Sequence, residues 1–570
     1  MSAFVGIHDG HNASAALLRG GRLELALQEE RLSRVKNQGD APAGAAALAL
    51  RMAADEKPQV ALGGRYTNYG QWTREAIAAD YKGCSGLVSR AKQPLKNTFV
   101  DRIYQRRRAA ARGECLAELG FPQTTAVEHH LAHASAAYYT SPWASSPGRV
   151  LVFTCDGSGD RLSATVSIGE NRQLERIAQV SEHDSIGRLY ALVTRYLGMN
   201  PLEHEYKVMG LAPYGKGSAC TEAAAKPFLD LFEFTPDGMG WRRRRGVPSM
   251  YAAQQLIERT LAGTRFDAIA AGVQAFLEHM LTVWVRNAAR ATGIERIACS
   301  GGVFMNVKAN LAILEAPEVA DMYVFPSCGD ESNSIGAACS MAAQAGEPIE
   351  PLGPIYFGEP ITDREAEAAL EPAAQAGRLR HSFEPRIESK TAETLVRGGI
   401  VARASGAAEF GARALGNRSI LARADSPGAV RILNDAVKLR DFWMPFAPSV
   451  LAERGADYYD KPKPVDSPYM MFAFRSKPER RTVFPAAQHP YDFTTRPHEV
   501  FEKHNPGYHR LLKEYEALTG EGILLNTSFN LHGEPMVYRA TDAVDVFLRS
   551  GLQCMALGNW WVEKTRKTAA

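Results

Sequence analysis

The first 180 residues contain one structural sentence twice, and this duplication limits the fold more than any other feature of the chain. "FVGIHDGHNASAALLRGGRLELALQEE" reads as an apolar strand from Phe4 to Ile7, a turn on Asp9-Gly10 and a hairpin across Gly20-Gly21. From Arg149, "RVLVFTCDGSGDRLSATVSIGENRQLERIAQV" repeats the plan: a strand from Val150 to Thr154, a turn on Asp156-Gly157 and a hairpin across Gly169-Glu170-Asn171. Two ordinary hairpins would explain each copy separately. An acidic-glycine turn closing the first strand in both copies favours a duplicated unit.

The segments that follow suit an α/β fold. "FDAIAAGVQAFLEHMLTVWVRNAARA" (266–291) has amphipathic helical spacing and few breakers. "RIACSGGVFMNVKANLAIL" and "MYVFPSCGDESNSIGAACSMAAQAG" each run from a strand into a helix, through Gly301-Gly302 and Gly329-Asp330. Such turns expose backbone N–H groups at a helix start, where a phosphate can sit. From about Glu347, "EPIEPLGPIYFGEP" reads as a linker because prolines interrupt it repeatedly. Beyond it, basic, amide and hydroxyl side chains lie among apolar ones, the mixture needed by a pocket for phosphates and a nucleotide.

With 570 residues, 45% of them hydrophobic and 23% charged, the chain suits a globular protein of two or more domains. A formal net charge of +3 is near neutral and selects no partner class. Eight scattered cysteines form no CxxC pair, which predicts a reducing, cytoplasmic setting. The N-terminus lacks a basic leader region, and no stretch offers the ~18 uninterrupted apolar residues of a membrane helix.

"VEHHLAHASAAYY" (127–139) raises the possibility of a metal site. On a helix His129 and His133 share a face, while His130 points elsewhere. Core histidines are the common alternative. The same half of the chain also holds Asp156 and Asp330 in glycine turns, and two imidazoles with two carboxylates would suit Fe(II), Mn(II) or a catalytic Zn(II). Spacing alone does not bring the aspartates to the histidines.

Other suggestive runs carry less. "GLAPYGKG" (210–217) nearly spells a phosphate-binding Walker loop, but Gly217 replaces its magnesium-holding hydroxyl and Pro213 removes a donor, so a P-loop is rejected. "RRRR" (242–245) and "RRRAAAR" (106–112) read as solvated surface, since no RNA-binding module accompanies them. "HDGHN" (8–12) suits either turn chemistry or a general base beside an acceptor clamp.

Ten stretches, in order and over nearly the whole chain, resemble the ATP-dependent O-carbamoyltransferases of the nodulation and antibiotic-tailoring type. They are "HDGHNASAALL", "EERLSRVK", "HHLAHASAAYY", "CDGSGD", "EYKVMGLAPYG", "SGGVFMN", "GDESNSIGAA", "EFGARALGNRSIL", "VKLRDFWMPFAPS" and "LLNTSFNLHGEP". The resemblance implies an α/β protein with a duplicated actin-like ATPase (ASKHA) domain over 1–351. An α+β domain over 352–570 would resemble the threonylcarbamoyl-adenylate-forming fold, with the last ~30 residues packing back on the first domain. It further implies that carbamoyl phosphate and ATP give carbamoyladenylate, whose carbamoyl group passes to an acceptor hydroxyl.

Carried onto this sequence, the resemblance makes His129, His133, Asp156 and Asp330 ligands of Fe(II) or another divalent metal, with Mg accompanying ATP. His11 becomes the general base, and Asp9 and Lys36 line the acceptor and nucleotide pocket. Arg413, Lys438, Arg440, Arg496, Asn526 and Ser528 would hold carbamoyl phosphate and ATP. Met444 stands where family members often have an arginine, so one phosphate grip is missing or supplied elsewhere, with Arg440 a candidate.

The expected partner is a small hydroxylated natural product or sugar, as in antibiotic biosynthesis, with no nucleic acid and no membrane; a homodimer is left open. The alternatives are carbamoylation of an amine or protein thiol, threonylcarbamoyl chemistry on tRNA, and a non-catalytic actin-like scaffold. The thiol route of hydrogenase maturation would add an acylphosphatase domain and zinc-finger cysteine pairs, which this chain lacks.

Overall fold

The computed structural model describes residues 2–54, 56–67, 69–82, 99–215, 217, 219–438 and 441–565. The chain forms two compact units. One comprises Met1–Glu29 and Asn37–Leu352, the other Glu30–Lys36 and Gly353–Ala570.

The first unit is built on two sheets. Their strands are β1 (Ala3–His8), β2 (Ser14–Arg19), β3 (Arg22–Gln28), β4 (Gln59–Gly63) and β5 (Thr125–Val127), then β6 (Val150–Gly159), β7 (Leu162–Glu170) and β8 (Gln173–Ser181). A two-stranded ribbon, β9 (Phe232–Phe234) and β10 (Trp241–Arg243), precedes β11 (Arg296–Ser300) and β12 (Asp321–Val324). The first sheet runs β3-β2-β1-β4-β5 and the second β8-β7-β6-β11-β12. Both therefore consist of an antiparallel trio continued by two parallel strands on the far side of the leading strand. The fold is α/β, and the duplication is one of topology as well as of sequence.

The two copies differ at their acidic turns. In the first, the chain leaves β1 at His8 and re-enters at Ser14, with Asn12 in the left-handed region at φ 57°. In the second, the expected turn on Asp156-Gly157 is instead an irregularity inside β6, where pairing slips between Cys155 and Gly159. The reversal comes later, at Asp160 (φ 48°) and Arg161 (φ 73°). A bulge re-aims a side chain without ending the strand, which leaves Asp156 turned away from the regular ladder.

Two helices exchange sheets. The helix His129–Tyr139 follows β5 of the first sheet but packs on β6, β11 and β7 of the second. The helix Ser332–Gln344 follows β12 of the second sheet but packs on β1, β4 and β2 of the first. The helices also pack on each other, and glycine permits the approach: a Cβ on Gly336 would stand 1.8 Å from the Ala132 carbonyl oxygen. Backbone cannot yield as a side chain can, so Gly336→Ala should destabilise the unit by roughly 1–3 kcal/mol or more. The urea midpoint measures this, and an unchanged midpoint would mean the helices can part freely.

The long helix runs Phe266–Thr292 as its spacing predicts. It is long and apolar enough to cross a membrane, yet 72% of its most apolar window is buried, as in a core helix. The first six residues of the Walker-like run, 210–215, lie in the helix Glu205–Gly215, whose Gly215 sits against the Asp267 backbone. At Gly301-Gly302 a 3-10 turn intervenes, so the following helix begins only at Val307, capped by Asn306. Arg242, Arg243 and Arg244 are held by Glu233, Asp184 and the Phe232 carbonyl. The side chains of Arg106 to Arg108 lie outside the described residues.

The second unit contains β13 (Leu379–Phe383), β14 (Val401–Ala404), β15 (Arg418–Arg423), β16 (Ala447–Leu451), β17 (Tyr459–Asp460), β18 (Phe474–Ser476), β19 (Thr494–Thr495), β20 (His498–Val500), β21 (Ile523–Ser528), β22 (Cys554–Leu557) and β23 (Trp560–Lys564). Eight strands form one mixed sheet in the order β13-β23-β22-β14-β15-β21-β16-β20. Val401, Leu421, Leu451 and Leu524 pack against Leu395, Leu511 and Leu512 of the helices Ile387–Val396 and Pro506–Thr519 to form its core. Leaving such leucines exposed would cost ~1.5–3 kcal/mol each.

β22 and β23 are interior strands of this sheet, their backbone groups claimed by β14 and β13. Within the proline-rich stretch Tyr356 bridges Glu409, and just after it Ile361 bridges Gly406.

Candidate functional site

The exchange of helices brings chemistry to one place in the first unit. His129 and His133 lie in the first turns of the helix that crosses onto the second sheet, and Asp330 stands two residues before the helix that crosses onto the first. Asp156 projects from the β6 bulge. One ligand atom from each of these four residues falls within 4.8 Å of all the others. His129 Nε2 stands 3.2 Å from Asp156 and 3.5 Å from Asp330, and His133 Nε2 stands 3.5 and 3.6 Å from the same carboxylates. His130 is turned away, with Nδ1 2.8 Å from Thr154 Oγ1.

Local structure holds each donor. Glu128 caps the histidine helix by accepting from His130 and Leu131 N–H, and Asp160 Oδ2 accepts the His129 N–H at 2.7 Å. The same Asp160 accepts from Arg65 and Tyr66 backbone N–H, so it ties a loop to the helix start. Carboxylates at a helix N-terminus also suit its dipole. Ser300 and Ser332 hydroxyls flank His133 Nδ1 at 3.3 and 3.1 Å, which directs its Nε2 into the cluster. Asn333 Nδ2 lies 3.4 Å from His129 Nδ1, and its own Oδ1 is buried without a partner. Turning that amide would satisfy Oδ1 with the His129 Nδ1–H, so that an ion replacing the Nε2 proton would meet a lone pair there.

The electrostatics call for a cation. Burial alone would raise both carboxyls. Hydrogen bonds from His129 and His133 outweigh burial at Asp156 and hold it well below the usual range. Asp330 is pushed well above that range, by burial and then by Asp156. Two half-buried carboxylates this close resist joint ionisation unless something positive joins them, and beside them His129, despite its burial, is raised above the usual imidazole range by Asp330 and Asp156. Two neutral imidazoles and two carboxylates carry −2, which a divalent ion neutralises, and the N/O donor set fits such an ion.

A glycine guards the geometry: a Cβ on Gly159 would stand 2.1 Å from the His129 ring. Gly159→Ala should displace the imidazole and weaken divalent-ion binding roughly 10–100-fold, the range typical of lost ligand support. Titration with a competing chelator measures it, and unchanged affinity would exclude His129 as a ligand.

The loop after β1 lies beside this cluster. His8 is buried, with Nε2 3.9 Å from Asp330 Oδ2 and its two ring nitrogens each 3.1 Å from a carbonyl, of Gly63 and of His11. Burial pulls its pKa down to about 4. His11 is buried against Trp72, ring centroids 6.0 Å apart. Asp9 is held in place: Arg112 grips it with two hydrogen bonds of 2.7 and 2.6 Å, and Tyr69 donates a third at 2.7 Å. A buried guanidinium needs its counter-ion, which is why the carboxylate is committed. Lys36 belongs to the second unit, with Nζ 3.7 Å from Glu30. Neither Arg112 nor Asp160 announced itself in sequence, although Asp160 closes the run "CDGSGD".

In the second unit several expected residues gather at one end of the sheet. Asn526 lies on β21 opposite Ala447 of β16, and Ser528 opposite Ser419 of β15. Asn526 Nδ2 donates to the Ala414 carbonyl and to Ser449 Oγ, both at 2.9 Å, which holds the loop carrying Arg413 against β21. Arg496 leads into β20, where His498 pairs with Ser449. Ser528 Oγ donates to Asn530 at 2.6 Å. Arg418 is fully buried, and its donors go to the carbonyls of Ser405, Gly406, Asn417 and Tyr538, so it braces the same loop. The Lys438 side chain and Arg440 lie outside the described residues. Met444 closes a turn by donating its N–H to the Asp441 carbonyl.

His498 supplies a pH signature. Burial, aided by His504, lowers its pKa from 6.5 to about 3. The unfolded chain therefore takes up the proton first on acidification. Its contribution is complete above pH 6.5 and is lost toward pH 3, at up to roughly 1.4 kcal/mol per unit. Between pH 7 and 5, wild type should lose about 2 kcal/mol relative to His498→Gln in urea unfolding. A constant gap would mean the histidine already charges in the folded state.

The family description "Carbamoyltransferase N-terminus" matches residues 3–339, and "Carbamoyltransferase C-terminus" matches residues 392–564. The chain belongs to the carbamoyltransferase family. Nodulation protein NolNO of Sinorhizobium fredii is 31% identical over 97% of this chain and 79% of its own length. Nodulation protein NolO of Bradyrhizobium diazoefficiens is 33% identical over 77% of this chain and 79% of its own. The solved structure of HypF from T. kodakarensis superposes at a TM-score of 0.33 and 14% identity, over 61% of this chain and 48% of that one. That likeness is too slight to add to the sheet topology. As a carbamoyltransferase, the chain is a transferase enzyme.

Proposed function

We propose that this carbamoyltransferase makes carbamoyladenylate in its second unit and transfers the carbamoyl group to a hydroxyl in its first. The observation that carries this reading is the separation of chemistries. An anionic cluster suited to a divalent ion lies in one unit, and arginine, amide and hydroxyl groups suited to phosphates gather at one sheet end of the other.

In the second unit, carbamoyl phosphate, ATP and water would give carbamoyladenylate, phosphate and pyrophosphate. Arg413 and Arg496 would neutralise the converging phosphate charges, while Asn526 and Ser528 orient them. Lys438 and Arg440 are proposed to share that task. In the first unit, an acceptor hydroxyl oxygen would attack the carbamoyl carbon, the bond to AMP would break, and His11 would take the hydroxyl proton. His129, His133, Asp156 and Asp330 would hold the divalent ion, proposed to be Fe(II), which when bound supplies Lewis-acid polarisation. The proposed acceptor is a small hydroxylated natural product or sugar, and the setting cytoplasmic.

Arg413→Ala should fail to release pyrophosphate from ATP, whereas His11→Ala should release it in a carbamoyl-phosphate-dependent way yet carbamoylate nothing. Carbamoyladenylate is an anhydride that water destroys, so enclosed transit is expected. A mixture of the two variants should therefore yield little product. Near-wild-type product from the mixture, repeated with cross-linked protein to exclude subunit exchange, would mean the intermediate travels freely. If wild type releases no carbamoyl-phosphate-dependent pyrophosphate, the adenylate route itself is wrong.

A further inference from the structure

Residues Glu30–Lys36 interrupt the first unit in sequence but fold as part of the second. The segment leaves and returns at one point. Glu29 N–H donates to the Ala13 carbonyl, and Ala13 N–H donates to the Gln38 carbonyl, both at 2.8 Å. Glu29 is fixed further by accepting from Gly44 and Ala45 N–H. Between these pins the chain forms a short strap that turns in the left-handed region at Arg34 (φ 61°) and closes at Asn37 (φ 55°).

Charged residues of the strap are buried, which solvated surface would not require. Glu30 and Arg31 are each 3% exposed and pair with each other. Arg31 then donates to the Gly411 carbonyl at 2.6 Å. Arg34 donates to the carbonyls of Met536 and Pro535 at 2.5 and 3.0 Å.

Gly411 is the decisive contact. Its loop is anchored on one side where Phe410 N–H meets the Ile355 carbonyl at 2.8 Å, and on the other where Asn526 holds the Ala414 carbonyl. Arg31 grips the stretch between those anchors, and that stretch carries Arg413. Gly411 itself has φ 92°, a conformation other residues resist, so its carbonyl direction is built into the loop. A charge-assisted hydrogen bond is roughly twice as strong as a neutral one.

We infer that Arg31 is a positioning residue for the phosphate-binding loop of the second unit, acting through Gly411 to set where Arg413 stands. This rests on the adenylate reading given above. Arg31 touches no reacting atom in that scheme, so its loss should weaken the hold on carbamoyl phosphate while sparing maximal turnover.

The test measures carbamoyl-phosphate-dependent pyrophosphate release by the full-length protein. Arg31→Ala should raise KM for carbamoyl phosphate roughly 10–100-fold, the equivalent of one buried charged hydrogen bond, with kcat nearly unchanged. Arg31→Lys can still reach one carbonyl and should recover most of the affinity. Arg34→Ala loosens the same strap at Pro535 and Met536, away from the loop, and should leave KM near wild type. Equal KM changes in the Arg31 and Arg34 alanine variants would reduce the strap to general anchoring and overturn the inference. A wild-type KM in Arg31→Ala would do the same. If Arg31→Ala does not fold, Arg31→Lys decides, with an intermediate KM expected and a wild-type kcat. Absence of activity in wild type would instead strike the adenylate reading, which separates the two failures.

Discussion

Replacing both His129 and His133 by alanine is expected to empty the first unit of its divalent ion and to stop carbamoyl transfer, while carbamoyl-phosphate-dependent pyrophosphate release continues. Two effects combine. Half of the donor set disappears, and the remaining carboxyls lose the hydrogen bonds that keep Asp156 ionised. With Asp330 already pushed up by burial and by its neighbour, the remnant tends toward a protonated pair, which is a poor ligand. Losing the outer support of a ligand costs roughly 10–100-fold in affinity, so losing two direct donors should exceed that. Metal content after exhaustive dialysis measures the outcome. Full occupancy in the double variant would exclude these four residues as the binding set.

His11→Ala and His11→Gln should each reduce acceptor carbamoylation by about 10²–10⁴-fold, the usual worth of a general base, with little change in acceptor affinity. His8 offers no substitute, since both of its ring nitrogens already face carbonyl oxygens. Product formation followed by mass shift, together with calorimetric binding of the acceptor, separates turnover from affinity. Near-normal turnover at neutral pH would remove His11 from the chemistry.

Much of this could be read from the chain before any coordinates. The duplication was visible because strand, acidic turn and hairpin are local, and His129 and His133 share a face because helical spacing says so. The meeting of those histidines with Asp156 and Asp330 was not local. Periodicity tells which side of a helix is apolar, not which sheet it will cover, and here both helices cover the sheet they did not come from. The fate of Asp9 was hidden for a similar reason. Its partner Arg112 lies in an arginine-rich run that reads as surface, 103 residues away. The β6 bulge was misread as a turn because an Asp-Gly pair signals both, and only the pairing slip distinguishes them.

The strap that begins at Glu30 bears on how such a chain could be divided. A polypeptide cut before Gly353 would give a second half lacking seven of its own residues, including the guanidinium that grips Gly411. In the intact chain those residues are tethered at both ends, so they act as a ligand at high effective concentration, in the millimolar range or above for a short connection. As a free peptide the same segment would have to order itself from solution and meet that cost on every encounter. The two halves are therefore not interchangeable modules. Part of what the later one is built from is written near the beginning of the earlier one.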